Sequence, residues 1–165
     1  MMPVVLRYLK MLGGFVLLWV GIFFWNAYSC QKVESREMEP TLKAESRKWI
    51  EPKVRSTEDL KHDDLISFSY NQPGKSQTAY AARIIGLPGD RVEMKQGDVY
   101  VNGNKINATY VGPNNKGDPR LDNYAEIIVP RDTVYVLCDS RRSFDKSDSR
   151  AIGPVGVWAI NGRFK

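Results

Sequence analysis

A mostly β domain behind one N-terminal membrane helix is the fold class this sequence predicts. Two observations carry it. Residues 11–31, MLGGFVLLWVGIFFWNAYSCQ, hold no formally charged side chain, and a helix of that length at ~1.5 Å per residue spans roughly the hydrocarbon thickness of a bilayer. Beyond them, short runs of alternating apolar and polar residues recur between turn-forming clusters, the pattern of half-buried strands. The chain has 165 residues, so setting the apolar run aside leaves one domain with room for one real core.

Taken in order, Arg7 and Lys10 precede the apolar run, which places the N-terminus in the cytoplasm and everything after residue 31 on the extracytoplasmic side. Trp19, Trp25 and Tyr28 suit the membrane interfaces. The expected division is a tail over 1–10, a single-pass anchor over 11–31 and an exported domain over 32–165. Ala27 and Ser29 also form a small-x-small pattern before Cys30, compatible with signal-peptide cleavage or lipid attachment. The uncleaved anchor is the preferred reading.

In the exported part, strands are expected at 65–70, 78–85, 91–94, 98–101, 127–129 and 133–137. Turns fall at Asn71-Gln72-Pro73-Gly74, at Gly86-Leu87-Pro88-Gly89-Asp90 and at Asn102-Gly103. Residues 112–124, GPNNKGDPRLDNY, read as a loop. A short helix within 43–50 is the single helical expectation outside the anchor, and 40–58 is otherwise too charged and irregular to assign. Asn107-Ala108-Thr109 is a glycosylation acceptor pattern, relevant only to a eukaryotic secretory route.

Composition excludes several chemistries. Net charge is +5 and the pI about 9.2, but Lys and Arg are interspersed with acids. This reads as a basic surface, suited to anionic lipid headgroups rather than to nucleic acid. His62 is the one histidine and Cys30 and Cys138 the two cysteines, too few for a Cys/His zinc cluster. A Ser-His-Asp triad would have to use His62, in KHDDLISF, where a solvated loop is the plainer role. No glycine-rich phosphate loop is present. No cofactor and no metal are expected. Cys30 and Cys138 could pair in an oxidising compartment or stay as separate thiols, which spacing does not decide.

Six segments then fall into a recognisable order: SREMEPTL, DDLISF, YAARIIGLPGDRVE, VYVNG, IIVPRDTVYVLCDS and SDSRAIGPV. With the anchor before them, they make the chain resemble type I signal peptidases, membrane-anchored serine proteases with a Ser-Lys dyad that remove export signals. The resemblance implies a signal-peptidase-like β domain lying on the membrane surface. An extended segment would bind there by strand pairing, with small side chains entering shallow pockets. It places the nucleophile immediately before Met38 and the general base immediately before Arg83, positions held here by Glu37 and Ala82. Amide cleavage needs a nucleophile that can be acylated and a base to take its proton; losing both removes many orders of magnitude in rate. Ser35 is a possible remnant of the oxyanion site. Met38, Pro40, Arg83, Asp90, Asp139, Arg141, Asp148, Ser149 and Arg150 are the expected groove and scaffold residues, and Cys138 occupies a family glycine position.

The resulting expectation is a catalytically inactive homologue. It would bind segments of exported proteins, or partner an active peptidase or assembly machinery, at the membrane and without nucleic acid. Three alternatives stand beside it: a peptidase rewired through Ser35 with Lys75 or Lys95, a hydrolase built on Glu37 and Asp139, and a structural spacer with a closed groove. A buried lone carboxylate is costly, so Glu37 is expected either beside a partner such as Arg83 or Arg141 or facing water.

Overall fold

Antiparallel pairing builds both sheets of the protein, seen in a computed structural model that describes all residues except 1, 28, 35, 52–53, 71–77, 112–122 and 142–147. The turn expected at 71–74 and nearly all of the 112–124 loop therefore lie outside the described residues. Helix α1 runs Met2–Ala27. Its described side chains lie between Tyr8 and Phe23, and Leu12, Phe15, Leu17, Trp19 and Phe23 are all exposed. Among the described residues, no helix is long and apolar enough to cross a membrane.

Strand β1 (Ser29–Lys32) follows, paired with β2 (Arg47–Glu51) so that Cys30 faces Trp49. Residues 29–31, expected in the anchor, are thus strand. The short helix expected within 43–50 is also replaced by β2. RKWIE alternates, buries Ile50 at 4% exposure and finds partners on both sides, β1 and the C-terminal strand; pairing outweighs local preference. Within 40–58 there is also one 3₁₀ turn, Thr57–Asp59, closed by a capping box between Ser56 and Asp59.

The expected strands appear as β3 (Leu65–Tyr70), β4 (Thr78–Gly86), β5 (Arg91–Lys95), β6 (Asp98–Val101), β8 (Tyr124–Ile128) and β9 (Thr133–Leu137). Asn102 and Gly103, at φ 52° and 79°, make the hairpin turn into the short β7 (Asn104–Lys105). Beyond the expectations are the short helix α2 (Ser149–Ile152) and two strands, β10 (Val155–Gly156) and β11 (Ile160–Phe164). Strand β11 alternates buried and half-buried positions and enters the middle of the larger sheet.

The larger sheet has the order β1-β2-β11-β3-β4-β9-β10 and the smaller one β7-β6-β5-β8. Successive residues of β4 feed different cores. Ala82 and Ile84 join Ile66, Phe68, Val134 and Val136 on one face. Ala81 joins Val33, Met38, Leu42 and Cys138 on the other, and Ile85 joins Val92, Val99 and Val129 of the smaller sheet. At Gly86 the strand passes so close to its neighbours that an added Cβ would lie 2.6 Å from Val92 Cγ2 and 3.0 Å from Val129 Cγ2. Overpacking of this kind costs about 1–3 kcal/mol. Gly86→Ala is therefore expected to destabilise the domain by about that amount, seen as a lowered urea midpoint with unchanged far-ultraviolet circular dichroism before unfolding.

Candidate functional site

The SREMEPTL segment turns over one edge of β4 and the end of β9. Its turn closes through Leu42 N–H donating to the Met38 carbonyl at 2.8 Å, and the Glu39-Pro40 peptide is cis. Met38 is fully buried and Pro40 exposed, whereas Ser35 lies outside the described residues. The Ser140 N–H donates to the Glu37 carbonyl at 2.8 Å, which ties this turn to the segment after β9.

Glu37 itself is buried at 5% exposure, with the Cys138 thiol directed at its Oε2 at 3.9 Å. The carboxylate does not face water, and Arg83 and Arg141 donate to other acceptors. Arg83 grips Asp139 with two parallel bonds, Nε to Oδ1 at 2.9 Å and Nη2 to Oδ2 at 2.7 Å. Arg141 donates from Nε to the Cys138 carbonyl at 2.8 Å. Ala82 is fully buried in the opposite core from Met38 and Cys138.

Asp139 is the hub. It is fully buried, bridged to Arg83, and accepts a 2.5 Å hydrogen bond from the Thr41 hydroxyl. Burial lowers the Arg83 guanidinium pKa, but the Asp139 hydrogen bonds and charge outweigh it and leave it raised. The Tyr110 ring lies against the same guanidinium, 3.7 Å from centroid to Cζ. Burial and then the Asp63 charge push the Tyr110 phenol up to about 12. The sequence reading missed both neighbours. Thr41 is the T of the quoted motif and was open to selection there, while Tyr110 carries no local signal.

A second ion pair supports the floor. Asp148 caps α2 by accepting from the Arg150 amide at 3.0 Å, bonds the Arg150 side chain at 2.7 Å and accepts from the Cys138 amide at 3.2 Å. Arg150 Nη1 donates to the Arg141 carbonyl at 2.9 Å, and Ser149 Oγ accepts from Val136 N–H at 2.8 Å. Burial lowers the Arg141 pKa, and its Nη2 has no hydrogen-bond partner among the described residues. Cys30 is exposed and Cys138 is buried, and neither forms a disulfide. Of the alternative lysines, Lys95 is exposed on β5 and bound to Glu93 at 2.7 Å, and Lys75 lies outside the described residues.

Asp90 stands apart, in the turn after β4. Its Oδ2 accepts from Leu87 N–H at 2.8 Å and meets His62 Nε2 at 2.7 Å, and its Oδ1 accepts from Asn102 at 2.8 Å. Burial pushes this carboxyl up, but the Leu87, Asn102 and His62 contacts outweigh it and hold it below the usual aspartate range.

Two outcomes follow. Removing one partner of a buried ion pair leaves the other charge uncompensated, at about 3–5 kcal/mol; Asp139→Ala is expected to lose that much stability in chemical denaturation. A carboxyl with a depressed folded pKa adds stability above its unfolded pKa of about 3.9 and loses it as pH falls through the folded value. Asp90→Asn is accordingly expected to flatten the loss of melting temperature below about pH 4, read by thermal scans across pH 2–6.

Comparison with known proteins gives the family. The family profile described as signal peptidase, peptidase S26, matches residues 5–165. Signal peptidase I P of Bacillus subtilis subsp. natto is 34% identical over 124 residues, covering 72% of this chain and 63% of that protein. A probable signal peptidase I-2 of Synechocystis sp. is 34% identical over 131 residues, 78% of this chain and 57% of that protein. The chain spans less than two thirds of the length of these curated relatives. A crystal structure of a signal peptidase I from Enterococcus faecalis aligns with a TM-score of 0.49 at 27% identity, over 64% of this chain and 97% of that one. With a profile that takes in nearly every residue, the chain belongs to the signal peptidase family, peptidase S26.

Proposed function

We propose that this protein is a catalytically silent member of the signal peptidase family, anchored in the membrane by α1 with its N-terminus in the cytoplasm and its β domain on the extracytoplasmic side. It binds extended segments of exported proteins, or partners an active peptidase or assembly machinery. The observation that carries the reading is the pair Glu37 and Ala82. One is a buried carboxylate against a thiol and the other a methyl group inside a packed core. A carboxylate is a poor acyl acceptor for amide cleavage, and an alanine takes no proton. The groove and scaffold residues Met38, Arg83, Asp139, Arg141, Asp148, Ser149 and Arg150 act as a frame for the groove rather than as chemistry. For the anchor, the support is the uncharged run over 11–31 and the exposed apolar side chains around α1.

The full-length protein in detergent is expected to leave an export precursor uncut in a gel-shift assay. The double substitution Glu37→Ser with Ala82→Lys is expected to gain measurable cleavage, because a buried lysine has the lowered pKa a general base requires. Cleavage by the unmodified protein that disappears on Ser35→Ala would overturn the reading. A folded double variant that neither cuts nor binds peptide would remove the peptide-binding role and leave the spacer.

A further inference from the structure

Two buried polar atoms near the Arg83–Asp139 pair have no hydrogen-bond partner among the described residues: the Tyr110 hydroxyl and Arg141 Nη2. They share one neighbourhood. The Tyr110 ring lies 3.7 Å from Arg83 Cζ, and Arg83 grips Asp139, two residues before Arg141. Of the ionisable groups around Arg141, Tyr110 acts on it most strongly, ahead of Arg150, Asp148 and Asp139. The charges beside them are otherwise matched. Arg83 is balanced by Asp139 and Arg150 by Asp148, each at 2.7 Å. Asp63, which also acts on Tyr110, is exposed to water, and its carbonyl accepts from Arg83 Nη1 at 3.2 Å. Arg141 is 4% exposed, spends its Nε on the Cys138 carbonyl and makes no ion pair among the described residues. A buried cation without a counter-charge is costly, and a buried donor without an acceptor adds to that cost.

We propose that Tyr110 and Arg141 together hold a carboxylate of a bound polypeptide, one oxygen on the phenol and the other on Nη2. The chemistry of the two groups selects this ligand. The phenol is pushed up to about 12 and keeps its proton, so both groups are donors and call for an acceptor. One unmatched positive charge calls for a monoanion; a phosphate dianion would leave excess negative charge beside Asp139 and Asp148. Tyr110 is half-buried and Arg141 almost wholly so, which puts the phenol on the entry side. The carboxylate comes either from a free C-terminus or from an acidic side chain. The site rests on the reading that the protein holds polypeptide segments, and it adds a charge preference to that reading.

The test is calorimetric titration of the full chain in a non-ionic detergent, with four probes. Acetate is the carboxylate alone, N-acetyl-alanine presents a free C-terminus, and N-acetyl-glutamate methylamide presents an acidic side chain. Inorganic phosphate is the competing anion. Acetate and at least one peptide probe are expected to saturate a single site, and the corresponding amides, N-acetyl-alaninamide and N-acetyl-glutamine methylamide, to bind at least about tenfold more weakly. Arg141→Met is expected to abolish binding. Tyr110→Phe keeps the ring on Arg83 and removes only the hydroxyl, and it is expected to weaken binding by at least about tenfold. Absence of saturation, equal binding of the amides, tighter binding of phosphate than of acetate, or unchanged affinity in Tyr110→Phe would each overturn the assignment. Saturation by N-acetyl-alanine alone assigns the C-terminus and by the glutamate probe alone the acidic side chain. Saturation by acetate with neither peptide probe overturns the polypeptide as occupant. The small probes make the two readings separable: their failure leaves the silent groove standing, and precursor cleavage by the unmodified protein leaves the carboxylate site standing.

Discussion

A charge that has left water must be met inside the protein, and the carboxylate of Asp139 meets that condition at the centre of the fold. It is fully buried and accepts two parallel bonds from Arg83 and one from Thr41. Those three residues come from the segment after β9, from β4 and from the SREMEPTL turn. A bidentate arginine–carboxylate pair fixes orientation as well as distance, so it ties the three segments together in one arrangement. The second pair, Asp148 with Arg150, repeats the device one layer down, where it reaches the Cys138 amide and the Arg141 carbonyl.

The segment around Glu37 takes its position from this frame. Glu37 is located through its backbone carbonyl, which accepts from Ser140, the residue after Asp139. Ala82 is located by strand pairing, opposite Ile66 on β3. Neither position needs a hydroxyl or an amine for the fold to close, since the bonds that organise the region run through other atoms. This separates family membership, which the framework carries, from chemistry, which two side chains would have to supply. A scaffold of this kind can exchange its reactive groups while keeping its architecture.

The sequence was most readable where periodicity and turn chemistry agreed. β3, β4, β6 and β9 follow from alternation bounded by Gly, Pro and Asn turns, and the Asn102-Gly103 turn follows from its residue types. β2 and β11 were hidden because each is stabilised by neighbours far away in the chain. Glu51 and Ile50 pair with Arg163 and Phe164, a relation that no local window contains. The boundary of the helix was hidden for the same reason: residues 29–31 carry no charge to end the run but find a partner strand in β2. In the site, the acid and arginine residues could be placed from motif order, whereas their pairing could not. Arg83 might equally have faced Glu37, and only the spatial arrangement of β4 and β9 assigns it to Asp139. Tyr110 and Asp63 were silent for want of any pattern linking them to Arg83.

The outermost strands have a consequence for how the molecule behaves in a crowd. At one end of each sheet the terminal strand has two residues, β10 in the larger and β7 in the smaller. So short a border offers another chain little unpaired backbone on which to build, which guards against fibre-like growth from those sides. The opposite borders, β1 and β8, are longer, at four and five residues. Of these, β8 carries Glu126 paired with Arg91, a charged pair that discourages a flat neighbour. The border beside the helix is left as the side on which self-association would begin.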